Sequence, residues 1–238
     1  MEQTLNERHP NSPLKEVIFE VRFPGETIIE GRRYDIQEKL RHDYPNLLLP
    51  IIPDGESPAL APYRFEKQDQ TAGVMVAVNR FAYYCRNYLG YDSFRIECLK
   101  LASTFFQTYN VQVINRLGLR HINIIPFVRE SGLVPLDQIF VVGEKLKEIF
   151  VDGFQNLELA FASPVNNGVI TTRIDQILKE DGGQEAFLLD FDYGRTLSLD
   201  ISTIDQLLNE AHEQSVKIFT KIITASYHNF IEGIDEEQ

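Results

Sequence analysis

The chain has 238 residues, with 35 acidic against 23 basic side chains, a formal charge of −12 at pH 7, no tryptophan and two cysteines. Apolar residues make up 43% and charged residues 24%, which is ordinary globular composition and excludes collagen-like, disordered and disulfide-rich classes. The length suits one large domain or two small ones, and the net charge has the wrong sign for a simple basic DNA-binding module.

The acidity is unevenly placed. Residues 1–125 hold 15 basic and 15 acidic side chains, whereas residues 126–238 hold 8 and 20. Eight carboxylates and a single basic residue, Arg195, fall between Asp181 and Glu213. Such a run is most simply a solvated face that aids solubility. Read functionally, it is an acidic interface for a basic partner, with Asp190, Asp192, Asp200, Asp205, Glu210 and Glu213 as its candidate residues. The opening MEQTLNERHPNSP is polar and lacks the apolar stretch of a signal peptide. No apolar run approaches the roughly 20 residues that span a bilayer. A cytoplasmic protein without membrane contact is expected. Cys85 and Cys98 then read as thiols rather than a disulfide, Cys98 being buried.

Residues 14–23, LKEVIFEVRF, alternate Val17, Phe19, Val21 and Phe23 with polar or less buried positions, which predicts a half-buried strand. Ile36, Leu40 and Tyr44 at spacing four predict a helix over 32–44, stopped by Pro45. Five prolines between 45 and 62 predict an irregular loop. Residues 63–70 and 73–86 read as a hairpin turning at Thr71-Ala72-Gly73. A helix to about Tyr109 follows, with Phe94, Cys98, Leu101, Phe105 and Tyr109 on one face, and then a strand over 115–125. This β-α-β-β-α-β order is the ferredoxin-like split βαβ arrangement.

The second half opens with a predicted helix over 136–150 and strands over 157–163 and 169–178. A turn at Asp181-Gly182-Gly183 and a hairpin of 186–193 with 196–201 around Gly194-Arg195 come next. Ser202, with Asp205 three residues on as in a capping box, starts the longest helix, to about Phe230, which would span roughly 40 Å. A helix that long suits either an extended sheet or contact with a second copy. The expected class is α+β, mainly antiparallel sheet with helices packed on one side. The expected organisation is a flexible N-terminus 1–13, a first α+β half 14–126, a second acidic half 127–232 and a tail 233–238. The two halves read as two domains or as one continuous one.

Three groups of residues carry chemical possibilities. Arg22, Arg80, Arg86, Arg116 and Arg120 lie on or beside predicted strands, and Arg95 begins a helix; Tyr84 and other tyrosines lie nearby. Arginine forks beside aromatic rings suit a single-stranded nucleic acid or a nucleotide. The simpler reading is ion pairing with Glu16, Glu20, Glu66 and Glu97. Asp190 and Asp192 share a strand face, and Asp200 returns toward them if the hairpin forms, a carboxylate set of the kind that holds Mg²⁺ or Mn²⁺ in phosphohydrolases. His121 and His212 are each isolated in sequence, with no nucleophile motif and no second ligand at metal spacing, and read as structural. No cofactor or metal site is expected.

Four stretches together carry a resemblance: 13–23 (PLKEVIFEVRF), 80–109 (opening RFAYYCRNYLGYDSF), 116–126 (RLGLRHINIIP) and 207–224 (LLNEAHEQSVKIFTKIIT). In order and spacing they resemble an uncharacterised, sporadically distributed prokaryotic family of about this length. Its members carry P-(I/L)-x-E-V-x-F-E-x-R-F, R-(I/L)-G-L-R-Y-I-N and a late helix with (A/L)-H before F-x-x-x-(I/L)-T. Here Cys85 stands where that pattern often has tryptophan, and His121 where tyrosine is usual. The family has no assigned activity or catalytic residue, so the resemblance transfers no mechanism. Its patchy distribution implies mobile genes of the defence or toxin–antitoxin kind. The expectation is a non-enzymatic interaction or accessory subunit of such a system. It would bind a protein partner through the acidic half, or a second copy through the C-terminal helix. Nucleic-acid or nucleotide binding by the Arg/Tyr face, and metal-dependent phosphohydrolysis, are the alternatives.

Overall fold

A computed structural model describes residues 9–50, 61–177 and 184–234. Its first half comprises β1 (Leu14–Arg22), α1 (Thr27–Gly31), α2 (Arg33–Leu40), β2 (Asn46–Leu48), β3 (Tyr63–Glu66), β4 (Ala72–Ala77), β5 (Arg80–Cys85), α3 (Tyr91–Tyr109) and β6 (Val113–Pro126). The second comprises α4 (Leu136–Ile139), α5 (Val141–Ile149), β7 (Glu158–Val165), β8 (Gly168–Ile177), β9 (Ala186–Asp200), one 3-10 turn (Ile201–Thr203), α6 (Ile204–Ile222) and α7 (Ala225–Glu232). The nine strands form one sheet in the order β2-β3-β4-β5-β1-β6-β9-β8-β7, antiparallel throughout. The class is α+β. Strands of both halves share the sheet, which is joined across β6 and β9, and one apolar core runs from Val17 to Ala211.

Alternation decides which face is covered. Val17, Phe19 and Val21 of β1 are fully buried, while Glu16, Ile18 and Glu20 between them are not. The buried side meets the helices: the Phe81 and Phe105 rings lie 4.9 Å apart, Tyr83 and Phe94 5.5 Å, and Phe191 and Phe219 6.2 Å. Cys98 lies wholly inside this layer, and both cysteines are free thiols. Among the described residues no helix is long and apolar enough to cross a membrane.

Several expected elements are cut differently, each for a long-range reason. The single strand expected over 73–86 is two, β4 and β5, turning tightly at Val78-Asn79 with Ala77 opposite Arg80. With β2 added inside the proline-rich loop, four strands stand between α2 and α3 where the six-element ferredoxin-like order has two. The hairpin expected at Gly194-Arg195 is absent, because β9 continues through it and pairs with β6 from Ala186 to Asp200, with one register shift between Thr196 and Leu199. The expected cap shifts too: the Asp200 carboxylate accepts from the Ser202 amide at 2.8 Å, and Asp205 turns away to Arg95. The turn at Asp181-Gly182-Gly183 lies outside the described residues, as do 1–8, 51–60 and 235–238.

Both long helices of the second half are broken, and the breaks touch. The stretch 136–149 parts at Phe140, and the C-terminal helix parts after Ile222. Phe140 and Ile223 form a β-bridge. Thr224 locks the junction: its amide donates to the Ile139 carbonyl at 2.9 Å and its hydroxyl to the Gln138 carbonyl at 2.7 Å. Its Oγ1 also accepts from the Tyr227 amide, capping α7. The 19 residues of α6 therefore span roughly 28 Å rather than 40 Å.

Candidate functional site

The open face of the sheet gathers the arginines singled out in the sequence. Register places Arg22 beside Arg80 and Arg116, Glu20 beside Gly118, and Arg120 beside Asp192. Glu20 is the hub, with Arg22 at 2.7 Å, Arg116 at 2.9 Å and Arg80 at 3.7 Å. Arg116 also reaches Asp192 at 3.4 Å, and Arg120 forks onto Asp190 at 2.6 and 2.8 Å. Two glycines make this packing possible. A Cβ on Gly118 would sit 2.7 Å from the Arg116 guanidinium, and one on Gly194 would sit 3.0 Å from it, so Arg116 lies flat across bare backbone. Burial lifts the Asp192 carboxyl above its ordinary range against the pull of Arg116 and Arg120. Arg86 pairs with Glu16 at 3.3 Å and lies over the Tyr84 ring, whose hydroxyl donates to Glu66. The arginines converge, but carboxylates already answer them, and Tyr84 is buried rather than offered to a base.

The acidic candidates are similarly occupied. Asp190 and Asp192 are engaged as above. Asp200 caps the 3-10 turn, Asp205 forks onto Arg95 of α3 at 2.5 and 2.6 Å, and Glu210 holds Arg195 at 2.9 Å. Glu213 is exposed and has no ion-pair partner among the described residues. Asp200 lies eight residues beyond Asp192 on the same strand, past a register shift against β6, at most about 26 Å away at strand rise. Asp190, Asp192 and Asp200 therefore do not converge, and no group of three or more His, Cys, Asp or Glu placed to hold a metal occurs among the described residues.

A different site lies on the covered side. A cavity of about 240 Å³ opens between the sheet and helices α6 and α7, and four of the chain's five histidines line it: His9, His121, His212 and His228. His121 stands on β6 opposite Val17 and Phe191, on the helix-facing side. His212 stands on the buried stripe of α6 with Leu208, Ala211 and Ser215. Their ring centroids are 6.4 Å apart. His212 stacks on Tyr91 of α3, with centroids 3.7 Å apart and planes 3° from parallel, and the Tyr91 hydroxyl donates to Asn209 at 2.7 Å. Neither imidazole is hydrogen-bonded to the described protein, and Nδ1 of each is closed off from solvent. Burial pushes His121 down to about 3, helped by the neighbouring His212, and pushes His212 down to about 4. Both rings are therefore neutral at pH 7. Ser215 donates to the Ala211 carbonyl rather than to an imidazole, so there is no Ser–His pair for nucleophilic catalysis.

The mouth is charged. Lys15 and Arg86 stand on it, and Glu232 lies between His9 at 3.3 Å and His228 at 4.0 Å. The N-terminal segment closes one side, because the Asn11 amide donates to the Ile231 carbonyl at 3.3 Å and its side chain to the Phe230 carbonyl at 2.7 Å. Residues 9–13, expected as a flexible end, are thus tied to α7. Sequence reasoning met His121 and His212 singly. The available signal was a polar ring on each of two core-facing stripes, which neither stripe needs for its own packing. No family model and no curated protein matches the chain, so the resemblance stands on its four motifs alone.

Proposed function

We propose that this protein binds a small organic ligand in the histidine-lined cavity, with His121 and His212 as its polar contacts. The observation that carries this reading is the pair of adjacent imidazoles without hydrogen-bond partners: Thr172, Gln176, Tyr193 and Arg195 also hold an unpaired buried polar atom, but only His121 and His212 do so on the wall of this cavity. An unpaired buried polar group costs roughly 1–3 kcal/mol, and two of them meet at one cavity. Apolar walls with a few convergent polar groups are the usual make-up of a ligand pocket. The test is long-range proton–nitrogen NMR of the histidines during titration with a fragment library. Binders are expected to move the His121 and His212 signals. His42, whose ring stands 97% exposed elsewhere, serves as the internal control. A library that moves neither ring, or moves His42 equally, sinks the reading.

A second reading, the non-enzymatic interaction or accessory subunit of a defence or toxin–antitoxin system, draws support from a different feature. Ile149, Phe150 and Val151 are consecutive and 69%, 52% and 84% exposed, an apolar run of the kind that marks contact surfaces. Products of neighbouring genes should then co-purify with the wild type and be lost with Val151→Asp. A protein that elutes alone, leaving its neighbours' activities unchanged, refutes it.

A further inference from the structure

The inner end and the mouth of the cavity differ in chemistry, and the difference selects a ligand. Among the described residues the inner end holds no charge. Besides the two neutral imidazoles it presents Ser215 and Asn123, both buried. Each has already spent a hydrogen on a backbone carbonyl, Ser215 on Ala211 at 2.9 Å and Asn123 on Leu189 at 3.1 Å. What remains there is the Ser215 lone pairs, the Asn123 carbonyl oxygen with one amide hydrogen, and the unpaired N–H and acceptor nitrogen of each neutral imidazole. A carboxylate or phosphate placed inside would lose its hydration and meet no cation among the described residues to replace it. A hydroxyl, which donates and accepts at once, fits.

The mouth is the reverse. Lys15 has no ion-pair partner among the described residues, whereas Arg86 is shared with Glu16 at 3.3 Å. The one carboxylate that lines the mouth among the described residues, Glu232, is held between His9 and His228. Among the described residues that line the cavity, Lys15 is the cation left for a ligand. Between mouth and inner end the walls carry Tyr88, Phe191 and Phe219, with the latter two meeting edge to face at 6.2 Å. Such walls suit a flat, apolar body.

Resting on the pocket reading above, we propose that the ligand is a compact hydroxylated aromatic acid. Its ring lies between the aromatic walls, its hydroxyl points inward to His121 and His212, and its acid group meets Lys15 at the mouth.

Calorimetric titration of the full chain with a matched series tests this, with the histidine spectra recorded in parallel. The probes are para-hydroxyphenylacetate, phenylacetate without the hydroxyl, para-ethylphenol without the acid, and tyramine with the charge reversed. Para-hydroxyphenylacetate should bind about tenfold more tightly than either truncated probe, roughly one hydrogen bond or ion pair each. Tyramine should bind more weakly still. In Lys15→Met the advantage over para-ethylphenol should vanish while the advantage over phenylacetate persists. If para-ethylphenol or tyramine binds as well as the acid and still moves the His121 and His212 signals, the ligand class is wrong and the pocket stands. If other fragments move those signals but no member of the series does, the class fails in the same way. If nothing moves them, the pocket reading itself has failed.

Discussion

Lowering the pH from 7.5 to 5 should destabilise this protein through two residues. In the folded chain His212 stays neutral down to about 4 and His121 down to about 3. In the unfolded chain each protonates below about 6.5. The folded values lie below the unfolded one, so between them the unfolded state holds more protons. Stability is therefore full above pH 6.5 and falls as the pH falls, until the folded values are reached. At pH 5 each ring contributes about 2 kcal/mol of this loss, or about 4 kcal/mol for the pair. In a chain of this size that corresponds to roughly 8–16 °C in Tm.

Neighbouring groups do not blur the window. Asp43, Glu185 and Asp200 have lowered carboxyls with the same sign of effect, but carboxylates titrate mainly below about pH 4.5. Asp192, raised by burial, has the opposite sign. Around the rings stand Tyr91, whose hydroxyl burial keeps protonated, and Lys15, Arg86 and Glu232 at the mouth. The assay is thermal and urea unfolding followed by circular dichroism at half-unit steps from pH 7.5 to 4.5. Wild type should take up about two protons on unfolding near pH 5, and His121→Gln and His212→Gln about one each. A flat wild-type profile, or a slope unchanged in His212→Gln, would show that the rings are hydrated or protonated in the folded state and would refute the reasoning.

Other consequences are equally direct. Gly118→Ala should cost about 1 kcal/mol in urea titrations, because the new methyl pushes Arg116 off Glu20. In an Arg116→Ala background the same change should be neutral or stabilising by about 0.5–1 kcal/mol, since alanine suits a strand better than glycine. A double-mutant cycle that shows no change of sign contradicts the packing described. Wild type should show no salt-dependent binding to a fluorescent oligothymidine, because Glu20, Asp190 and Asp192 already neutralise the arginines. Glu20→Gln combined with Asp192→Asn should create such binding. Tight wild-type binding that weakens in Arg116→Ala would mean that the arginines yield to phosphate and would restore the nucleic-acid reading.

Period-two and period-3.6 patterning identified the class, the faces of β1 and α3 and the burial of Cys98, because each is settled by side chains a few residues apart. The errors fell where a residue answers a distant partner. Gly194 read as a turn, yet it is flat because Arg116, on the neighbouring strand, needs bare backbone beneath it. Asp205 read as half of a capping box, yet Arg95 on α3 holds it. The arginines read correctly as a cluster, because strand alternation alone puts Arg116 and Arg120 on one face. Their neutralisation was the simpler of the two readings the sequence offered. The histidines were legible only singly, each as a polar ring on an apolar stripe: 91 positions separate His121 from His212, and only the packing of α6 on β6 joins them.

The broken helices share this origin and lead to the site. Nothing in the pattern stops a helix at Ile222, for the apolar spacing continues and neither proline nor glycine intervenes. The local hint is the β-branched run Ile222-Ile223-Thr224, with threonine able to cap a new start. What turns the hint into a break is Phe140, which takes Ile223 as its β partner. The break redirects α7 across the cavity and brings His228 and Glu232 to its mouth. A continuous helix would carry them about 9 and 15 Å beyond Ile222 along the α6 axis. Thr224 should therefore act on binding without touching any ligand. Thr224→Ala removes the α7 cap and the bond to Gln138, a loss of about 1–2 kcal/mol. It should speed amide exchange in α7 and weaken pocket ligands severalfold, and Thr224→Ser should restore both. An alanine variant that loses stability uniformly, with α7 exchange and affinity unchanged, would show that α7 holds the mouth without help from this junction.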